Sequence, residues 1–274
     1  MGELFNLVFK NPTINLLAFF YTIFLKIGLP GAFGFAIIGL TSSIRLLLNP
    51  FFSQQIQLSK KMADAKPHLD KLTEKHKNDK KKLQEEQMKL YKEMGINPAS
   101  GCVFALIQMP VFIALYQVLL SFFKKGQSMN SIITTINKSI YLPFFKIHSI
   151  DPNFFGLNLA VPPSQFAKYG LFYLGIPIIT GVLQYFQISL STPPAAPKKV
   201  NDGKKEGKKD DDMQTMMSTQ MKYIFPVMIG YFAYTLPSGL ALYWNIFSLF
   251  SIWQYRKNQK LQPMKAEALM PKNK

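Results

Sequence analysis

The chain has 274 residues, of which 48% are hydrophobic and only 17% are charged, yet it carries a net charge of +17. Soluble domains contain about 25% charged residues, and disordered basic proteins are poorer in large apolar residues. One cysteine and three histidines exclude a disulfide scaffold and argue against a metal centre built on Cys or His. The charge must therefore lie apart from long apolar segments.

The first apolar segment, residues 14–29, is short for a membrane crossing and contains Lys26. We interpret it as an amphipathic helix that lies in the membrane interface, within an extracytoplasmic N-terminal region of residues 1–31. A sixth membrane span is the alternative. The first residues lack the basic stretch that begins a secretory signal, so no cleaved signal is expected.

Five further segments are predicted to be transmembrane helices, because each is close to the roughly 20 apolar residues that cross the hydrocarbon layer. Residues 223–255 contain no charge over 33 positions, which is too long for one crossing. Pro237, Ser238 and Gly239 predict a tight turn there, so this segment is divided in two. The predicted spans are residues 32–54, 101–123, 169–191, 223–237 and 239–255.

The segments between the spans differ in charge. Residues 55–100, 192–222 and 256–274 together hold 24 of the 32 Lys and Arg residues, whereas residues 124–168 hold five. Because segments rich in Lys and Arg remain in the cytoplasm, the first three segments and the C-terminus are predicted to be cytoplasmic. The N-terminus and residues 124–168 are then extracytoplasmic, which agrees with an odd number of spans.

Residues 55–100 are predicted to form a cytoplasmic helical hairpin, with a solvated spacer as the alternative. Apolar residues recur at steps of three and four, which is the spacing of a coiled-coil seam; they are Leu58, Met62, Ala65, Leu69 and Leu72, followed by Leu83, Leu90 and Met94. Pro67 predicts a kink or a new first turn. Asn78-Asp79 predicts the reversal, and Asn97-Pro98 predicts the end of the second helix.

The other two cytoplasmic segments differ from the hairpin. Residues 192–222 contain the run KKVNDGKKEGKKDDD, which predicts a flexible charged loop. Residues 256–274 form a basic cytoplasmic tail. Their charge is explained by membrane orientation and by anionic lipid nearby, so nucleic acid is not predicted as a substrate.

Arg45 is the one charged residue in the predicted spans. An arginine inside a span costs about 2.5–3.5 kcal/mol on the insertion scale and needs water or a partner, yet no span contains Asp or Glu. With the polar Thr41 one turn away, Arg45 is predicted to face a wet cavity. The alternative is a side chain that extends to the cytoplasmic headgroups.

Other polar and aromatic residues are candidates for the same cavity. Gln184 and Gln187 share a helix face, although hydrogen bonding between helices explains them equally well. Tyr243 and Trp244 are typical of aromatic residues at a membrane interface. The sequence has no Gly-rich phosphate loop, nucleophile elbow or metal-ligand cluster, so we predict no enzyme, no cofactor and no metal.

Three blocks of the sequence resemble the YidC-type membrane protein insertases, a family related to the mitochondrial oxidase-assembly and thylakoid insertases. The first block is FAIIGLTSSIRLLLNPF with its single arginine, and the second is the hairpin followed by INPASGCVFALIQMPVFIALYQVL. The third block is MKYIFPVMIGYFAYTLPSGLALYWNIFSLFSIWQ. The resemblance extends from about Asn15 to Tyr255 and combines several motifs at matching spacing, which makes it highly specific.

This resemblance implies an all-α membrane protein with five transmembrane helices around a hydrophilic groove that opens to the cytoplasm, plus the interfacial N-terminal helix and the cytoplasmic hairpin. It implies a multi-pass protein of the bacterial plasma membrane. The positions that it implies for a substrate-binding groove are Arg45, Thr41, Phe112, Gln184, Gln187, Tyr243 and Trp244. The implied partners are nascent membrane proteins and the lipid bilayer; the ribosome, through the hairpin and basic tail, and the Sec translocon are further candidates.

The implied function is the insertion and folding of nascent integral membrane proteins. A short hydrophilic groove would shorten the apolar path for polar N-terminal tails, and Arg45 would attract their acidic residues. Apolar segments would then leave laterally into lipid, driven by burial, without covalent catalysis or nucleotide hydrolysis. The alternatives are a small channel or transporter with Arg45 as an anion site, and a membrane anchor for RNA or ribosomes.

Overall fold

The computed structural model describes most of the chain, in five ranges: residues 2–76, 79–97, 99–122, 128–191 and 211–261. Within these ranges the backbone alone is described at residues 80, 99–108, 211–221 and 259–261. Much of the predicted flexible loop and of the basic tail lies outside the described residues. The predicted reversal at Asn78 and helix end at Pro98 also lie outside them.

Helices account for most of the described residues, as the sequence predicts. They are α1 Glu3–Lys26 (with a π-helical turn at Asn6–Lys10), α2 Ala32–Leu47, α3 Asn49–Lys75, α4 Lys80–Glu93, α5 Ala99–Phe122, α6 Met129–Asn137, α7 Phe166–Tyr169, α8 Gly175–Ser191, α9 Asp211–Thr235 and α10 Ser238–Leu261. Short 3-10 turns lie at Pro143–Phe145, Pro163–Gln165 and Leu171–Leu174. A hairpin pairs the antiparallel strands β1 Asn153–Phe154 and β2 Leu157–Asn158.

Two described segments are each long and apolar enough to cross a membrane, Glu3–Lys26 and Leu171–Ser191. α2 and α3 meet the same criterion only when they are counted together as one broken span, and Met109–Phe122 is apolar but shorter. The chain is thus a mostly helical protein with candidate membrane spans. The count of five spans and the interfacial position of α1 stay predictions.

The chain divides into two compact units. The first comprises Met1–Asn49, Ala105–Gln184 and Val227–Phe250. The second comprises Pro50–Phe104, Tyr185–Pro226 and Ser251–Lys274. All of the predicted groove residues except Gln187 therefore belong to the first unit.

In the first unit, α1 packs against α2. The buried residues of α1 follow the spacing of one helix face and are Thr13, Ile14, Leu17, Ala18 and Tyr21. The ring of Tyr21 meets Phe33 of α2 edge to face, with the ring centres 5.6 Å apart. The apolar spacing of the segment thus produces one buried face, while residues such as Leu4 and Leu7 near its beginning are exposed.

The predicted span of residues 32–54 is interrupted. α2 ends at Leu47, and α3 begins two residues later at Asn49. Pro50 falls in the first turn of α3, where a missing N–H costs no hydrogen bond within the helix. Because of this break, Arg45 lies in the last turn of α2 rather than near the middle of a longer helix.

Residues 128–174, here called the end segment, are fixed to the beginning of α10. The Ser238 hydroxyl and N–H donate to the Val161 carbonyl at 2.6 and 3.1 Å, and the Gly239 N–H donates to the Leu159 carbonyl at 2.9 Å. The first N–H groups of a helix have no partner within it. Since Ser238 is buried, these bonds satisfy donors that would otherwise be buried without a partner.

The end segment also packs on the beginning of α2. The ring of Phe154 in β1 lies against the α2 backbone at Gly34, where an added Cβ would overlap it. The same ring meets Phe35 edge to face, with the centres 5.3 Å apart. Gly34 is thus the residue that allows this close approach.

In the second unit, α3 and α4 pack together within the predicted hairpin. Their shared core contains the buried residues Ala65, Leu69 and Ile96. α3 continues through Pro67 rather than starting again there. The Asp79 side chain caps α4 by accepting a hydrogen bond from the Lys82 N–H at 3.0 Å.

α4 ends at Glu93, before the end predicted at Asn97-Pro98. Gly95 adopts φ +60°, and its N–H donates to the Lys92 carbonyl while the Ile96 N–H donates to the Tyr91 carbonyl. This pair of bonds is a Schellman motif, which a glycine favours because it has no Cβ to clash in the left-handed region. Gly95 was therefore the stronger signal for the helix end.

Within the same unit, Lys60 joins α3 to the last turn of α10. Its ammonium donates to the Asn258 carbonyl at 2.7 Å, one of the carbonyls that a helix end leaves without a partner. Burial lowers the pKa of Lys60 and raises the pKa of the Asp64 carboxyl one turn away, and the attraction between the two charges offsets part of both shifts.

The packing of Phe154 on Gly34 leads to a stability prediction. Gly34→Ala should lower the midpoint of thermal unfolding in detergent, because overpacking at a tight contact costs about 1–3 kcal/mol. Gly175→Ala is the matched control, since an added Cβ there has nothing within 4 Å and alanine favours a helix. The double variant Gly34→Ala with Phe154→Leu should recover part of the loss. Equal stabilisation by both alanine variants would contradict the contact.

Candidate functional site

Phe247 of α10 contacts the guanidinium of Arg45 in two ways. Arg45 is 3% exposed, and its Nη2 donates to the Phe247 carbonyl at 3.0 Å. The guanidinium carbon also lies 3.6 Å from the centre of the Phe247 ring. The negative face of an aromatic ring attracts a cation, and the planar guanidinium stacks well on it.

The position of Arg45 at the end of α2 stabilises its charge further. The last carbonyls of a helix carry partial negative charge, which is worth about 0.3–1 kcal/mol to a nearby cation. That gain is smaller than the roughly 2.5–3.5 kcal/mol that an arginine costs within a span. The helix end therefore offsets only part of the cost of burying this charge.

An aromatic row extends from the neighbouring part of α10 to α5. The ring of Trp244 stacks on Phe112 of α5 with the centres 5.5 Å apart and the planes inclined by 19°. Phe112 stacks in turn on Tyr116, with the centres 6.4 Å apart. Trp244 is buried, whereas Phe112 is only half-buried. The row therefore combines a fixed tryptophan with a partly accessible phenylalanine.

The amide of Gln184 joins α8 to the same stretch of α10. Its Oε1 accepts a hydrogen bond from the Ser248 hydroxyl at 3.3 Å, and both residues are buried. Hydrogen bonding between helices, the alternative considered for this glutamine, is therefore present. Thr41 is also buried, but its hydroxyl donates to the Ile37 carbonyl of its own helix at 2.7 Å.

Two further predicted residues differ in their placement. Tyr243 is buried, and its ring centre lies 5.9 Å from that of Phe247, the residue that binds Arg45. Gln187 belongs to the second unit, and its buried Oε1 has no hydrogen-bond partner among the described residues. Most of the predicted residues thus lie on or against one stretch of α10 in the first unit, to which Gln187 does not belong.

We call this arrangement the Arg45 site; it consists of Arg45, Phe112, Gln184, Tyr243, Trp244, Phe247 and Ser248. Sequence reasoning missed Phe247 and Ser248, which have no charge and no distinctive motif. Each lies four residues after a predicted residue, Tyr243 or Trp244, and so shares its face of the helix. That spacing was the available signal.

The Arg45 site offers one cation, an amide, two hydroxyls and several aromatic faces. Within the described ranges there is no group of three His, Cys, Asp or Glu side chains that could hold a metal ion. A guanidinium binds carboxylates more strongly than it binds a neutral carbonyl, because both partners then carry full charge. The site can therefore bind an acidic group and pack apolar groups beside it.

Comparison with known proteins gives a consistent result. The family described as "60Kd inner membrane protein" matches residues 24–265. The chain is 33% identical over 233 residues to a protein of Cereibacter sphaeroides named membrane protein insertase YidC, with 82% of this chain and 32% of that protein covered.

Two further relatives carry the same name. The protein of Beijerinckia indica is 33% identical over 247 residues, with 86% of this chain and 35% of that protein covered. The protein of Streptomyces avermitilis is 31% identical over 255 residues, with 86% and 54% covered. The chain thus spans about a third to a half of the length of these relatives.

The energetics of the Arg45 site lead to a second stability prediction. Arg45→Met should leave the midpoint of thermal unfolding in detergent unchanged or raised, because it removes the cost of burying a charge and nearly keeps the volume of the side chain. The Phe247 carbonyl keeps its position within α10, where a helix N–H also serves it. Trp244→Ala is the comparison and should lower the midpoint clearly, since such truncations cost about 3–5 kcal/mol. A loss at Arg45→Met as large as that at Trp244→Ala would show a structural role.

Proposed function

The chain belongs to the 60Kd inner membrane protein family, and we propose that it is a membrane protein insertase that inserts nascent integral membrane proteins and helps them fold. In this proposal the Arg45 site forms part of a positively charged intramembrane groove. The groove passes short hydrophilic N-terminal tails across the membrane, and apolar segments leave it laterally into lipid. The observation that carries the proposal is a buried guanidinium held by a carbonyl and a ring of one residue, Phe247.

The groove belongs to a five-span architecture with α1 lying in the membrane interface. The contacts of α1 support this position over a sixth span. The Asn15 side-chain amide donates a hydrogen bond to the Ser139 carbonyl and accepts one from the Tyr141 N–H. The Tyr21 hydroxyl accepts a hydrogen bond from the Asp151 N–H. These residues are spread over about 9 Å of helix, so α1 lies along the end segment, whereas a crossing helix would meet it only at one end.

The charge of Arg45 acts on the tail of the substrate. A polar tail loses hydration when it enters the membrane, and each charged residue in it carries a large cost. An acidic side chain that reaches the guanidinium makes a hydrogen bond in which both partners are charged, which is stronger than the bond to the neutral Phe247 carbonyl. The membrane potential then favours outward movement of the negative charge, by about 2.3 kcal/mol per charge for each 100 mV.

The apolar segment of the substrate leaves along the exposed faces of the helices beside the site. Ile178 and Ile179 of α8 are 65% and 54% exposed, and Val227 and Tyr231 of α9 are 73% and 63% exposed. Such side chains suit lipid or another apolar helix. Burial of the substrate segment in hydrocarbon supplies the driving force, at about 25 cal/mol for each Å² removed from water, so no nucleotide or covalent step is required.

The partners and orientation follow from the same proposal. The chain is a multi-pass protein of the bacterial plasma membrane, with its N-terminus outside and its C-terminus in the cytoplasm, because the Lys-rich segments face the cytoplasm. The substrates are nascent membrane proteins. The hairpin of α3 and α4 and the basic tail are the surfaces proposed to meet a ribosome, and the Sec translocon is a proposed second partner.

The role of the charge predicts how substitutions at Arg45 affect insertion. In vesicles reconstituted with the purified chain, Arg45→Met should reduce insertion of a single-span substrate with an acidic N-terminal tail about tenfold or more, since loss of a charge-assisted bond costs about 1.5–3 kcal/mol. Arg45→Lys should retain much of the activity because it keeps the charge. Insertion is measured as protease protection of the tail.

The matched control is the same substrate with each acidic residue of the tail replaced by its amide. Arg45→Met should change insertion of this substrate much less. Equal insertion of the acidic substrate by the wild-type chain and by Arg45→Met would refute attraction by Arg45 and leave the polarity of the groove as the active property.

A further inference from the structure

The end segment carries a set of exposed aromatic and apolar residues that the proposed insertion chemistry does not use. They include Tyr141, Phe144, Phe155, Tyr169, Leu171 and Phe172, which are between 37% and 75% exposed. So many large apolar side chains in one short segment are unusual on a surface that faces water, and they indicate an apolar environment or a partner.

These residues lie where several helices of the first unit begin. The ring of Phe155 is 5.9 Å from that of Phe35, in the first turn of α2. Leu171 and Phe172 lead directly into α8. The carbonyls of Leu159 and Val161 in the same segment bind the first residues of α10. Phe155, Leu171 and Phe172 therefore lie beside the beginnings of α2 and α8, in the same segment that binds the beginning of α10.

Phe155 is the most exposed of the set and occupies a position that does not suit phenylalanine. With Gly156 it forms the two-residue turn between β1 and β2, and the two residues have φ +48° and +84°. Turns of this kind prefer Asn or Asp before Gly, because these residues tolerate the left-handed region. A phenylalanine that is 75% exposed there improves neither the turn nor solubility in water.

Lysines accompany the aromatic rings. The ammonium of Lys26 lies 3.5 Å from the centre of the Phe144 ring, and that of Lys168 lies 5.4 Å from the centre of the Tyr169 ring. Both lysines are exposed. Aromatic rings beside lysines are typical of a membrane interface, where the ring enters the edge of the apolar layer and the ammonium meets lipid phosphate.

We propose that the end segment is inserted into the headgroup layer of the leaflet that it faces, with Phe155 at the boundary of the acyl chains and with Lys26 and Lys168 at lipid phosphates. The partner is thus a phospholipid surface. This anchor does not depend on insertion activity. It also fixes the depth of Arg45, which lies ten residues beyond Phe35 in α2, or about 15 Å along the helix, close to the middle of a hydrocarbon layer about 30 Å thick.

A spin label measures the depth of these residues directly. The single native cysteine is removed by Cys102→Ser, and Phe155→Cys, Phe172→Cys or Met88→Cys is labelled in the full chain. The chain is reconstituted in vesicles of phosphatidylethanolamine and phosphatidylglycerol. Collision rates of the label with apolar oxygen and with a water-soluble nickel chelate are compared by electron paramagnetic resonance. Met88 in α4 is 49% exposed and serves as the aqueous reference.

The label at position 155 should collide with oxygen several-fold more often, relative to the nickel chelate, than the label at position 88, and position 172 should behave like position 155. If position 155 shows the same ratio as position 88, the proposal is wrong, whatever position 172 shows. Because a label alters the side chain, Phe155→Trp is measured as well in a chain that carries Trp253→Phe. Its additional fluorescence should be quenched by lipids brominated near the headgroup, and absence of this quenching would equally overturn the proposal.

Discussion

The contact between the Arg45 guanidinium and Phe247 is the interaction on which the functional arrangement depends. It joins the last turn of α2 to α10. The same stretch of α10 binds α5 through the stacking of Trp244 on Phe112, and α8 through the hydrogen bond of Ser248 to Gln184. α10 thus contacts one side chain from each of α2, α5 and α8. The carbonyl and the ring of Phe247 hold the guanidinium in place through a hydrogen bond and a cation–π contact.

The end segment determines where the beginnings of α2 and α10, the helices that carry Arg45 and Phe247, lie in the first unit. It binds α10 at Ser238 and Gly239 and packs on α2 at Gly34. Phe247 follows Gly239 by eight residues, about 12 Å, and Arg45 follows Gly34 by eleven residues, about 17 Å. Arg45 and Phe247 therefore lie at comparable distances along their helices from the end segment.

Local physical rules predicted much of this architecture, and the failures have local causes. Arg45 stood out because a charge in an apolar span is expensive, and Trp244 stood out through a motif. The sequence gives no comparable signal for Phe247, because the hydrogen bond to Arg45 is made by its backbone carbonyl, a group that every residue possesses. The break at Leu48 was missed because hydropathy continues through it, and the end of α4 was placed too late because Pro98 was weighted above Gly95. The hydrogen bond of Gln184 depends on Ser248, a neighbour distant in sequence that spacing alone does not reveal, whereas Thr41 bonds Ile37 one turn earlier in its own helix.

The central claim is that Arg45 acts by attracting negative charge on the substrate, and a double-mutant cycle between the two chains tests it most directly. Insertion into reconstituted vesicles is measured for the wild-type chain and for Arg45→Met, each with a substrate whose tail carries a single Asp and with the same substrate carrying Asn. The account predicts that Asp→Asn lowers insertion only when Arg45 is present, so that the two changes are strongly coupled. Independent effects, with the same ratio of Asp to Asn substrate in both chains, would contradict it.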